Sequence, residues 1–372
     1  MAIRELREEI PALERVTYLN TGASGPSTRS TLEAMRTAQT HQECHAPAEE
    51  GIYPAGFEAY ERARERIVTF CNADPHEIAL TESTGDGIAR VAGAIDFDPG
   101  DVVAVTDSEH PAGILPWRHL ERRGQLEVRT VETDRGQIDR DAFTEAVADA
   151  RVCCLSAITW NYGTRLPVAD LVDIARNAGA MTVVDAVQWP GQAPLDVTEW
   201  DADVLAASGH KWLLGPWGTG VLHVDDSIVA SLEPAGISYR SVPEPKRGDP
   251  TMYPDARRFE RGTANPSVHV ALAAAIETMA GHGLDRVESE IQSLASHLVD
   301  RLPADRLLSP DPPETGLVTI DVTDPPEMVE RLKREGIVVR AIPDPAAIRV
   351  SVHAFNTIEE LDRLLEALEA AW

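Results

Sequence analysis

The chain has 372 residues, enough for a large core and for a main domain with a smaller companion, so a single small module is excluded. With 61 acidic against 34 basic residues and a net charge of -27, its acids spread from end to end, the surface would repel a phosphate backbone; nucleic acid is excluded as a partner. No apolar run approaches the length that crosses a bilayer and the opening MAIRELREEIPALE is charged rather than signal-like, so no membrane partner and a cytoplasmic location are expected.

Along the chain, apolar β-rich runs alternate with amphipathic helical ones. EIALTES, DVVAVTDS, ARVCCLSAITW, AMTVVDAV, ADVLAASGH and GVLHVDD follow one another, with helical stretches such as TEAVADA and VADLVDIARNAG between them. Their near-continuous hydrophobicity fits strands buried on both faces, and the alternation predicts a mostly parallel α/β sheet with helices on both sides. After about residue 265 the pattern changes to one long helical stretch, VHVALAAAIETMAGHGLDRVESEIQSLASHLVDRL, then short strands GLVTIDV and AAIRVSV interleaved with helices. A large domain over 1–262 and a smaller C-terminal α+β domain over 263–372 are expected, with the Pro/Gly-rich segment 241–255 as a surface loop before the change. No GxGxxG follows the first strand, so a dinucleotide-binding reading lacks its fingerprint.

Two residue types are distributed unevenly. The cysteines Cys44, Cys71, Cys153 and Cys154 contain no CxxC pair, which predicts unpaired thiols and no metal site. Lysine stands only at 211, 246 and 333 against 31 arginines. Scarce lysine with abundant acid resembles proteins of salt-loving organisms, in which high salt screens self-repulsion.

Against that background SGHKWLLGPWGTG, 208 to 220, stands out: Lys211 ends an apolar strand in a Gly-rich loop. Arginine cannot replace lysine where the task is to form a Schiff base, because only an amine that can lose its proton is a nucleophile. A second signal is Asp185 in AMTVVDAVQWPGQ, a carboxylate at the end of a buried strand, costly unless paired. Taken alone it reads as well as a helix N-cap. In enzymes that use pyridoxal 5′-phosphate (PLP), such an acid keeps the ring nitrogen protonated, and Gln188 is in reach of the ring hydroxyl. In ALTESTGDGIARVAGAI the small polar turn at Ser83, Thr84 and Gly85 opens a helix, a cradle suited to a phosphate, although a plain capped helix has the same pattern.

In this order the segments resemble the class V aminotransferases, fold type I PLP enzymes that include cysteine desulfurases, selenocysteine lyases, kynureninases and isopenicillin epimerases. YLNTGASGP (18 to 26) resembles their opening strand and turn, and EHPAGILPW (109 to 117) the segment whose histidine stacks on the cofactor. The resemblance implies a stacking role for His110, Asp185 and Gln188 at the ring, Ser208 and His210 at the phosphate, and Lys211 as the Schiff-base residue. RFERGTANPS (258 to 267) resembles the stretch that supplies a hydroxyl to the phosphate across a dimer interface; this implies Thr263 and a homodimer. AAIRVSVHAF implies Arg349 as the ligand of an amino-acid substrate's carboxylate, with Arg340 in VVRAIPD as a second candidate.

Three departures bear on the reaction. The loop AIPDPAAI between Arg340 and Arg349 has no cysteine where desulfurases carry their nucleophilic thiol, Trp160 falls where the family has an asparagine facing the ring, and Gly85 replaces a second threonine. An aminotransferase-like enzyme acting at the α carbon through Lys211 is expected. The alternatives are a cysteine desulfurase or selenocysteine lyase without the usual thiol, and a non-catalytic relative that keeps only the fold.

Overall fold

The computed structural model describes residues 3–370. Its centre is a seven-stranded sheet in the order Ile78–Thr81, Gly220–Val224, Val204–Ser208, Met181–Asp185, Ala150–Ser156, Val102–Thr106, Glu127–Val131. Gly220–Val224 runs antiparallel to both neighbours and every other pairing is parallel. Six of these strands are the apolar runs expected from the sequence, and Val102–Thr106, Val204–Ser208 and Ile78–Thr81 are buried along their whole length. The added edge strand, Glu127–Val131, buries only Val131, which is why no apolar run marks it.

Helices cover both faces. Thr84–Ala92 and Pro111–Arg122 pack together on one, with Ile88, Val91 and Trp117 turned into the sheet. Val168–Asn177 lies on the other, with Leu171, Val172 and Ala175 buried. Each start has its own cause: Ser83 accepts a hydrogen bond from the Asp86 N–H, His110 from Ala112, and Pro111 fixes the first helical φ.

The long helical stretch expected at the start of the smaller domain is two helices, Pro266–His282 and Leu284–Val299, broken at Gly283 with φ of 81°. Only a glycine takes that φ without cost, so the chain turns there although apolar periodicity continues on both sides. Pro266–His282 packs on Arg29–Thr40 and Ile52–Cys71. A second core lies around the three-stranded antiparallel sheet Leu317–Ile320, Ala347–Ser351, Arg340–Ile342, covered by Leu284–Val299, Pro325–Arg334 and Ile358–Glu369. The N-terminal segment joins this second body: Thr17–Tyr18 pairs with Ile337–Val338, and Leu19 sits in its core. Among the described residues no helix is long and apolar enough to cross a membrane.

Candidate active site

Parallel strands end at one edge of the sheet, the position where α/β folds present ligand-binding groups. Val102–Thr106 leads to Glu109 and His110, Ala150–Ser156 to Trp160, Met181–Asp185 to Asp185 itself, and Val204–Ser208 to Lys211. The second body closes this edge through Arg340 and Arg349, neighbours across the antiparallel pair.

Lys211 is buried, and loss of solvation brings its ammonium down to about 7, against the opposing pull of Asp185. At neutral pH a large part of this amine is unprotonated, the state a nucleophile or base requires. Asp185 is likewise buried and its carboxyl is pushed up by burial. One oxygen accepts the Val187 N–H at 3.0 Å, while Oδ2 has no partner. A carboxylate oxygen left bare in the interior is costly unless a donor from a ligand meets it.

His110 accepts the Ala112 N–H on Nδ1 at 3.1 Å, and burial with the nearby Lys211, Arg340 and Arg349 lowers it to about 4. It is therefore a neutral ring at physiological pH, set edge-on to Trp160 with centroids 5.3 Å apart. Gln188 has both ends of its amide engaged: Nε2 donates to the Gly22 carbonyl at 3.0 Å and Oε1 accepts from the Trp212 indole at 2.7 Å. It ties the opening turn to the lysine loop.

At the other end, the Thr84 N–H donates to Ser208 Oγ at 2.8 Å and the two hydroxyls lie 2.7 Å apart. Gly85 keeps the helix start open against Pro111–Arg122, for a Cβ there would sit 3.3 Å from that of Ala112. The helix N-terminus, with Ser83, Thr84 and Ser208, forms an electropositive, hydroxyl-lined corner. His210 is half-buried beside Trp217, its imidazole lowered to about 4 by burial and by Lys211. Its carbonyl accepts the Gly25 N–H at 2.7 Å.

Arg349 is the most unusual group. It is 1% exposed, donates from Nη1 to the Trp160 carbonyl at 2.8 Å, and leaves Nε and Nη2 without partners. No carboxylate pairs with it among the described residues, and burial brings it down to about 9. Arg340 is exposed and forms no ion pair among the described residues. Thr263 lies apart, hydrogen-bonded by the Tyr239 hydroxyl at 2.8 Å in a surface cavity of about 460 Å³ shared with Tyr53 and Phe57.

Two features were not read from the sequence. Gly25 packs directly on the Lys211 carbonyl oxygen, with no space for a Cβ. Glu109, inside the segment singled out for His110, is buried and receives three hydrogen bonds: from Thr106 Oγ1 at 2.8 Å, from the Ser156 N–H at 3.0 Å and from Ser156 Oγ at 2.6 Å. A glutamate three residues after the buried run VVAVT was the available signal. Asn161 points elsewhere: its Nδ2 donates to the Asp344 carbonyl at 3.3 Å.

The site thus offers a reactive amine, a bare carboxylate oxygen and an anion corner. A phosphorylated aldehyde with a basic ring nitrogen satisfies all three, which defines a PLP-dependent enzyme. The chain belongs to the aminotransferase class-V family, whose profile matches residues 17–364. It is 30% identical to a probable cysteine desulfurase of Methanothermobacter thermautotrophicus, covering 99% of this chain and 98% of that one. It is 32% identical to isopenicillin N epimerase of Streptomyces clavuligerus, covering 95% and 94%. Its fold superposes with a TM-score of 0.90, at 26% identity over 96% of this chain and 98% of the other, on the cystine C-S lyase C-DES in complex with its reaction product cysteine persulfide.

Proposed function

We propose that the protein is a PLP-dependent carbon–sulfur lyase that takes the α proton from a sulfur-containing amino acid and releases the β sulfur without a protein thiol. The observation that carries this reading is the unpaired, buried Arg349 guanidinium facing the same space as the deprotonatable Lys211. A cation buried with two free donors is matched by one ligand chemistry above others, the carboxylate of an amino acid.

When bound, the cofactor supplies an electron sink for the carbanion at the α carbon. Lys211 is its attachment point and then the base that holds the α proton. Asp185 would hold the ring nitrogen, neutral His110 would pack against the ring, and the corner of Ser83, Thr84, Gly85, Ser208 and His210 would hold the phosphate. Arg349, steadied by the Trp160 carbonyl, fixes the α carboxylate and so decides which bond stands perpendicular to the ring. The electron pair of the C–S bond leaves with sulfur.

Absence of a thiol separates this reading from desulfurase chemistry. The turn between Arg340 and Arg349 has no cysteine, Cys71, Cys153 and Cys154 are buried with thiols pushed up by burial, and Cys44 lies in the turn His41–His45. Sulfur therefore departs on its own carrier, as it would from a disulfide amino acid. The similarity to an epimerase supports a second reading, in which the proton returns to the opposite face. We further propose a homodimer in which Thr263 reaches the phosphate corner of the second copy, a reading supported by the exposed Tyr53 and Phe57 beside it.

The test is incubation of the holoenzyme with L-cystine, L-cysteine and a panel of other L-amino acids, with and without a keto acid. Pyruvate and a persulfide from cystine are expected. Amino transfer to the keto acid, or a D-amino acid with no pyruvate, would overturn the lyase reading and leave Lys211 chemistry in place.

A further inference from the structure

Glu109 is a second buried carboxyl beside Asp185. An ideal Cβ on Gly113 would lie 3.2 Å from Glu109 Oε2 and 3.8 Å from Asp185 Oδ2, so the two oxygens flank one Cβ-sized space. Their backbones are coupled as well, since Ser156, which donates to Glu109 twice, is the register partner of Asp185 across the parallel strands.

All three donors to Glu109 are neutral, and no arginine, lysine or histidine pairs with it among the described residues. Two carboxyls in one dry neighbourhood, with Lys211 acting on Asp185 but no cation acting on Glu109, repel each other, and each raises the other's affinity for a proton. Such repulsion is relieved by a proton held on one of the two or by a cation placed next to them, and Asp185 Oδ2 is the one bare oxygen of the pair.

We propose that Glu109 is a positioning residue that acts through Asp185 to keep the nitrogen of the cofactor ring protonated, the pair sharing a proton when the site is empty. The charge of Glu109 adds to that of Asp185 at the ring nitrogen, and the three neutral donors hold it there while leaving the nitrogen to Asp185. Burial pushes the Glu109 carboxyl up to about 7 and raises that of Asp185, in keeping with a shared proton near neutrality. The titratable groups facing the pair are Lys211 beyond Val204–Ser208, His110 at the head of Pro111–Arg122, and Cys153 and Cys154 on Ala150–Ser156. His110 is neutral and both thiols are protonated across the working range, so only Lys211 competes.

The proposal rests on PLP occupying the site and not on the reaction that follows, and its test needs no substrate. The holoenzyme and Glu109→Gln are each reconstituted with PLP labelled with nitrogen-15 in the ring, and the chemical shift of that nitrogen is followed against pH. Glutamine keeps an oxygen that accepts from Thr106 Oγ1 and the Ser156 N–H, turns the Ser156 Oγ contact round so that its amide nitrogen donates to that hydroxyl, and removes the charge. Deprotonation of the ring nitrogen at a pH lower by about one unit or more is expected in the variant; superimposable titrations would overturn the proposal. Wild type alone gives a second measurement that does not depend on the variant folding. On adding PLP to the apoprotein at neutral pH, the infrared difference spectrum should lose a protonated-carboxyl band, and a spectrum without that loss would also overturn it. A lyase reading that fails on cystine leaves both readouts unchanged.

Discussion

Replacing Arg349 by methionine should raise stability and lower activity together. Burial takes the guanidinium from its ordinary 12.5 to about 9, which corresponds to about 5 kcal/mol against the charged form in the apoprotein. The substitution also removes the hydrogen bond from Nη1 to the Trp160 carbonyl, worth about 1 kcal/mol, and leaves that carbonyl short of a donor, about 1–3 kcal/mol more. The net expectation is a gain of about 1–3 kcal/mol, within the range seen when buried ionic groups give way to apolar ones. It is read as a higher urea midpoint of apo Arg349→Met. The same change deletes the two free donors meant for a carboxylate; loss of such a buried charge pair is worth about 3–4 kcal/mol, so kcat/KM should fall by about 10²–10³-fold. Wild type should favour the free amino acid over its carboxamide by a similar factor, and the variant should not discriminate. A variant that is less stable by several kcal/mol, or that still separates acid from amide, refutes the reasoning and makes Arg349 a structural residue.

Three other outcomes are expected. Lys211 titrates at about 7 in the fold against 10.5 outside it, so between those values the unfolded chain holds a proton that the folded one lacks. This group's contribution to apoprotein stability therefore rises with pH across that window, and Lys211→Met should flatten that part of the urea-midpoint profile. Gly25→Ala drives a Cβ into the Lys211 carbonyl oxygen and Leu214; it should cost about 1–3 kcal/mol by overpacking and weaken PLP binding followed by absorbance, while an unchanged melting temperature would show that the lysine loop is not tightly held. With a net charge of -27, the melting temperature should rise between about 0.1 and 2 M KCl as self-repulsion is screened, and equal or better stability in dilute buffer would count against that reading.

The sheet was legible because strands buried on both faces write themselves as continuous apolar runs, and Val102–Thr106 and Val204–Ser208 are such runs. Lys211 was legible because lysine is so scarce here, and Asp185 because a charge closing an apolar run demands a reason. The edge strand Glu127–Val131 was not, since a strand that buries only Val131 carries no apolar signature. The break at Gly283 was hidden for a different reason: a mid-helix glycine costs only about 1 kcal/mol, so sequence periodicity runs straight across it. The two-residue strand Thr17–Tyr18 depends on Ile337–Val338, far away in sequence, and no local pattern predicts such a pairing.

Glu109 shows where sequence reading stops for the site. A glutamate before a histidine and a proline reads as the exposed start of a helix, and only the convergence of Thr106, Ser156, Gly113 and Asp185 turns it into a buried carboxyl. The same holds for the balance of charge at the sheet's edge. Lys211, Asp185, Glu109 and Arg349 are all buried there, and among the described residues none forms a direct ion pair. Asp185 Oδ2 and Arg349 Nε and Nη2 are left without partners, a costly arrangement for the protein alone. In the proposed reading these atoms are met by a ring nitrogen at Asp185 and a carboxylate at Arg349. The strain of the free protein is thus the recognition pattern for its cofactor and substrate, and that pattern exists only in three dimensions.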